Sequence, residues 1–196
     1  MLTYVHQRFS DWEHLGVIES ETGSRLVAHT PRDFPQAYLH RYFAPVPTSA
    51  WDGYPIKLPD QLSSLYAVCN GLSLFGGALS LWGMRAHYSR DSSAQFQPFD
   101  LAAHHNEWLQ ASQRQGVKPR QGTTFFGSYS WDGSGIYVVE GRSDVYRSLK
   151  GSPEPVSMWS DLAFFINSEY DRLAGLFSRS GYQFDDNIPT VPGRAP

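Results

Sequence analysis

Leu58-Pro59-Asp60-Gln61-Leu62-Ser63-Ser64-Leu65-Tyr66-Ala67-Val68-Cys69-Asn70-Gly71, running on into Leu72-Ser73-Leu74-Phe75-Gly76-Gly77-Ala78-Leu79-Ser80-Leu81-Trp82, is the stretch from which the fold is best read. A proline in the first helical turn costs no hydrogen bond, because that N–H has no helical partner. Behind it, Leu58, Leu62, Leu65, Tyr66 and Cys69 recur at the spacing of one helix face. Asn70-Gly71 supplies a left-handed stop. Gly76-Gly77 bends the chain into Ala78–Trp82, whose alternation suits a strand. The unit reads as helix, glycine turn, strand.

Toward the C-terminus, Leu101, His105, Trp108 and Leu109 share a second helical face between Asp100 and Gln113. Thr123–Ser130 then reads as a strand and Asp132-Gly133-Ser134-Gly135 as a turn. Ile136–Val139 is the return strand, and Arg142-Ser143-Asp144 turns again into Val145-Tyr146. A long helix is expected from about Trp159 to Arg179, capped by Ser157 or Ser160, with Trp159, Leu162, Ile166, Leu173 and Phe177 on one face. Asp185, Pro189, Pro192 and Gly193 mark residues 181–196 as a flexible tail.

The first third is harder to read. Leu2–Leu15 fits a short helix or an irregular segment, and Glu21-Thr22-Gly23-Ser24 suits a hairpin turn between Gly16-Val17-Ile18 and Arg25–Ala28. Asp33 reads as an N-cap, with Phe34, Tyr38 and Tyr42 at helical spacing behind Pro35. Ala44–Tyr54, with Pro45, Pro47 and Gly53, is a loop. The order helix, strand, helix, three strands, helix is not the alternation of a nucleotide-binding α/β fold. It predicts α+β, with a largely antiparallel sheet and helices on a single face.

Composition narrows the function. The chain has 196 residues, 41% hydrophobic and 18% charged, and is read as a complete small protein of one domain. A net charge of −3 and scattered Lys and Arg speak against nucleic-acid binding. One cysteine, Cys69, leaves no disulfide framework and no Cys-based zinc cluster. With no signal-like leader and no apolar run of membrane length, a cytoplasmic protein is expected.

Candidate chemistry is thin. No glycine-rich phosphate loop occurs. His104 and His105, beside Glu107, are adjacent on a helix and point about 100° apart, so they cannot face one ion together. Cys69 lies on an apolar face, which makes it a core residue before it is a nucleophile. Gly127-Ser128-Tyr129-Ser130-Trp131 lacks the second glycine of a nucleophile elbow, and Asp185 with Asp186 is too loosely held for acid–base work. Neither a metal nor a cofactor is expected. There remain two aromatic turns, Trp51-Asp52-Gly53-Tyr54 and Tyr129-Ser130-Trp131-Asp132-Gly133. Rings there either fold onto the core or anchor a partner. Trp51, Tyr54, Tyr129, Trp131 and Asp132 are the candidate partner-binding residues.

The series Leu58-Pro59 … Leu62 … Leu65-Tyr66 … Asn70-Gly71 resembles the "LP…L…Y…NG" signature of the SUKH superfamily, which includes fungal cell-wall-synthesis regulators and bacterial immunity proteins. Leu74–Gly83 is similar to that family's first strand. Pro98-Phe99-Asp100-Leu101 with Asn106, Phe126-Gly127 with Asp132-Gly133, Val145-Tyr146 and Trp159–Phe165 continue the likeness as far as Phe177. Residues 1–57 then form an N-terminal extension packed on the same domain as a core spanning 58–180. The resemblance implies a mixed, mostly antiparallel sheet with helices packed around it, and no enzymatic activity. It also implies a protein partner, in bacterial members a polymorphic toxin that the immunity protein neutralises. A regulatory scaffold of the same family that binds a housekeeping protein is the second hypothesis. A hydrolase using His104, His105 or Glu107 is the third.

Overall fold

The computed structural model describes residues 7–28, 38–88, 90, 92–152 and 154–193. Nine strands form one sheet whose spatial order repeats the chain order: β1 (Val17–Glu19), β2 (Arg25–Ala28), β3 (Tyr38–Tyr42), β4 (Leu72–Leu74), β5 (Leu79–Leu81), β6 (Thr123–Tyr129), β7 (Gly135–Val139), β8 (Val145–Ser148) and β9 (Pro155–Trp159). Every neighbouring pair is antiparallel. The parallel element is the isolated bridge Gly83–Asp100. Three α-helices accompany the sheet among the described residues: α1 (Asp60–Tyr66), α2 (Leu101–Arg114) and α3 (Leu162–Ala174). The fold is α+β.

The helices cover both faces of the sheet, where the residue pattern suggests one. Gly135 of β7 lies so close beneath Trp108 of α2 that a Cβ there would meet the indole at 2.7 Å. Gly135 pairs with Ser128, so the next residue, Tyr129, faces the other side. There its hydroxyl meets Glu169 of α3. Phe125 stacks on Trp108 at 4.8 Å, and Phe165 packs edge-on against Phe126 at 6.3 Å. Burial at ~25 cal/mol per Å² of apolar surface makes these aromatic layers the main source of cohesion.

Helix α1 buries Leu62, Leu65 and Tyr66, as their spacing predicts, and Cys69 is buried just beyond its end. Its end differs from expectation. The helix stops at Ala67, where Val68 and Cys69 N–H both turn back to Leu65 O. Asn70 and Gly71 lie between the helix and β4, tied to Phe43 by backbone hydrogen bonds. The Asn70 amide donates to Met84 O at 2.8 Å and accepts Met84 N–H at 2.8 Å. Gly71 has φ +114°, and a Cβ there would lie 2.7 Å from Leu81 O. Gly76-Gly77 likewise joins two strands, β4 and β5, and not a helix to a strand. Phe75 shares the turn at φ 50°, a strained value for a residue with a side chain.

Three further corrections concern β3 and the last helix. Tyr38 and Tyr42 sit in strand β3, not in a helix; Asp33, Phe34 and Pro35 lie outside the described residues. A spacing of four returns to the same face in a strand as well as in a helix. β3 is buried on both sides, so it shows no polar alternation that would have betrayed it. Trp159 ends β9 and does not begin the last helix. That helix spans Leu162–Ala174, with Asp161 as N-cap accepting Phe164 N–H at 2.7 Å in place of Ser157 or Ser160.

The beginning of the chain joins the same sheet through β1–β3. Buried His40 of β3 accepts the Phe75 N–H on Nδ1 at 3.3 Å and stacks against Phe9 at 4.9 Å. Burial pushes its pKa down to about 3. At the other end, residues 181–193, expected as a flexible tail, are fastened to the body. Arg172 donates to Thr190 O at 2.7 Å and Arg147 to Pro192 O at 2.9 Å, while Thr190 is buried.

Candidate functional site

The loop before α1 builds an open groove. Pro45, Pro47, Pro55 and Pro59 restrict the backbone there, and a 3-10 turn over Thr48–Trp51 presents the first aromatic turn. The half-buried Trp51 ring packs on Tyr66 at 4.6 Å and meets Tyr54 edge-on at 5.0 Å. Tyr66 donates its hydroxyl to Trp82 O at 2.8 Å, and the Tyr54 hydroxyl accepts Ala102 N–H at 3.0 Å. Both phenol groups are therefore tied to the scaffold, leaving ring carbon toward the groove. Burial raises the Tyr54 pKa to about 12, so it stays neutral. The groove has a volume of about 480 Å³, and Ile56, Leu58, Asp52 and Lys57 are among its other lining residues. That size accepts a side chain or a small ligand.

The second aromatic turn is built differently. Tyr129 is fully buried and gives its hydroxyl to Glu169 at 2.6 Å, so it is a core residue and cannot touch a partner. Asp132 accepts Ser134 N–H at 2.9 Å and the Arg147 guanidinium at 2.6 Å. Burial pushes the Asp132 carboxyl up, but the Ser134 and Arg147 hydrogen bonds outweigh it and hold the pKa below its ordinary value. Arg147, 3% exposed, also donates to Ser134 Oγ at 2.7 Å. Glu169, 2% exposed on the core face of α3, takes three guanidinium contacts from Arg172. Trp131 is outward, at 45% exposure, on another, smaller pocket shared with Phe177 and Tyr182.

The five candidates thus divide. Trp51 and Tyr54 converge on the groove, Trp131 stands apart from it, Tyr129 belongs to the interior, and Asp132 lies at the surface, paired with the buried Arg147. Sequence reasoning missed Asp52 and Lys57 as groove charges, and Tyr66 as its floor. It also missed Arg147, Glu169 and Arg172. A charge pair three apart on an otherwise apolar helix was the available signal for the last two.

The remaining chemistry is structural. His105 accepts Phe125 N–H on Nδ1 at 3.1 Å, and burial lowers its pKa, which keeps it neutral. Its neighbour His104 packs on Trp82 at 5.0 Å. Glu107 lies 3.6 Å from His104 and 2.9 Å from Lys150, whose hydrogen bond holds the carboxyl below its usual range. Burial pushes the Cys69 thiol up to about 12. Asp185 is spent on Asn187, accepting its N–H at 2.9 Å. Among the described residues no group of three His, Cys, Asp or Glu side chains is placed to hold a metal, and no helix is long and apolar enough to cross a membrane.

No family model, curated protein or solved structure matches this chain.

Proposed function

We propose that this chain is a non-enzymatic protein-binding domain of SUKH type, acting in the cytoplasm as an immunity protein that neutralises a cognate bacterial toxin. The Trp51 groove is the observation that carries the reading. It is a recess with an aromatic wall whose two tyrosine hydroxyls are tied to backbone. Rigid rings in a preformed recess give a partner large contact area at little entropic cost, and such recesses are where binding energy concentrates in protein interfaces. The reactive side chains support the same conclusion, since His105, Glu107 and Cys69 are each committed to packing or hydrogen bonding within the domain.

Tagged co-purification with the product of the adjacent gene tests the proposal. A one-to-one complex with a toxin domain, weakened at least tenfold by Trp51→Ala, is the expected result. A well-folded protein that leaves the toxin active, and instead retains a housekeeping protein, would replace immunity by the regulatory-scaffold reading.

A further inference from the structure

We infer that the Trp51 groove receives one arginine side chain of the partner, its guanidinium lying on the aromatic wall and paired with the Asp52 carboxylate. This rests on the protein-binding reading and names the chemistry of its central contact.

Two charged side chains line the groove, and they stand in different states. Lys57 lies 3.3 Å from Glu140, so its charge is answered from outside the recess. Asp52 is exposed and makes no side-chain hydrogen bond or ion pair with the described residues. The unanswered charge of the groove is therefore negative. Two partly exposed rings line the groove beside Asp52: Trp51, fixed in orientation by Tyr66 and Tyr54, and Tyr54, whose hydroxyl is engaged with a backbone N–H. Ring faces carry negative quadrupole density and attract cations, by about 0.5–2 kcal/mol. A carboxylate beside them adds a charged acceptor.

Among cationic side chains, arginine fits best. Its guanidinium is planar and weakly hydrated, stacks on aromatic faces and offers a fork of donors to a carboxylate, whereas a lysine ammonium is a strongly hydrated point charge. Ile56 and Leu58 supply the apolar surface that the arginine methylenes would cover. A purely apolar side chain would leave Asp52 desolvated against it without compensation.

The probe is N-acetyl-arginine amide, with N-acetyl-leucine amide as the neutral control. Both are titrated into the full chain while the Trp51 indole N–H resonance is followed, assigned by its loss in Trp51→Phe. A saturable shift with the arginine compound, at least fivefold weaker in Asp52→Asn and absent with the leucine compound, is expected. An equal response to both compounds overturns the inference, as does an arginine response unchanged by Asp52→Asn. Asp52 is exposed, so this variant tests binding without threatening the fold. Should a toxin domain bind Asp52→Asn as tightly as the parent chain, this inference falls while the protein-binding reading stands. Absence of any complex with the parent chain defeats that broader reading instead.

Discussion

The tripeptide Trp-Asp-Gly occurs twice, at Trp51-Asp52-Gly53 and at Trp131-Asp132-Gly133, and the two copies end in opposite environments. In the first the tryptophan folds onto Tyr66 and the aspartate is left open. In the second the tryptophan points out, while the aspartate is drawn in by Arg147. Both turns carry a positive-φ glycine, the first at the end of a 3-10 turn and the second in the β6–β7 hairpin. The difference lies in what the rest of the chain delivers. Arg147 arrives from β8 and Pro192 from the C-terminal segment to enclose the second turn, and no cation reaches Asp52 among the described residues. A turn motif therefore fixes a backbone path, and distant residues decide whether its side chains become framework or recognition surface.

The largest test of this contrast removes the enclosing partner. Arg147→Ala strips Asp132, Ser134 and Pro192 of their shared donor, and should cost about 4 kcal/mol of folding stability, as breaking a buried pair does. Asp132→Ala leaves the buried Arg147 guanidinium without its carboxylate and should cost about 2 kcal/mol, whereas Asp52→Ala should change stability by less than about 0.5 kcal/mol. Urea unfolding of the three variants measures this directly, and equal losses for the two aspartates would erase the contrast. Gly71→Val strikes the scaffold behind the groove. Its side chain meets Leu81 O next to Trp82, whose carbonyl holds Tyr66, and a loss of about 3 kcal/mol is expected from overpacking and backbone strain.

Acid gives a smaller and graded effect. His40 has a depressed folded pKa of about 3 against an ordinary 6.5, so unfolding takes up a proton as pH falls below 6.5. The stability present above that pH should fall by about 2 kcal/mol by about pH 5, at about 1.4 kcal/mol per unit. Buried His105 adds in the same direction. Asp132 enters only at lower pH: its pKa is also depressed, so its contribution is complete above the ordinary carboxylate range and fades below it. Stability curves of the parent chain and Asp132→Asn should accordingly draw together below about pH 4. A constant gap would mean that the Arg147 pair carries no ionic component. Smaller again than the His40 effect, Trp131→Ala should alter the melting temperature by only a few degrees, since nearly half of that residue is exposed.

The same division between local and distant causes explains what could be read in advance. α1 and α2 were legible because each puts one apolar stripe on the core, and the β6–β8 meander because its turns carry Gly and Asp at the required positions. β3 and β4 were not, because strands covered on both faces lose their period of two. β9 was hidden by Trp159 and Leu162, whose spacing of three imitates a helix across a strand–helix junction. Within the candidate site, Trp51 and Tyr54 were found from composition and turn chemistry alone. Burial of Tyr129 depended on Glu169, forty residues away in the chain, and no local pattern encodes such a pairing.

The agreement between chain order and strand order has a consequence for synthesis. As the polypeptide leaves the ribosome, each new strand finds its partner already displayed, so the sheet can zip vectorially with little loop-closure penalty. The seal comes last. Trp12 donates its indole N–H to the Tyr170 hydroxyl across a separation of 158 residues, and Tyr170 in turn donates to Arg8 O. Until α3 has emerged, Trp12 lacks the hydroxyl that receives its indole N–H, and the Arg8 carbonyl lacks its donor.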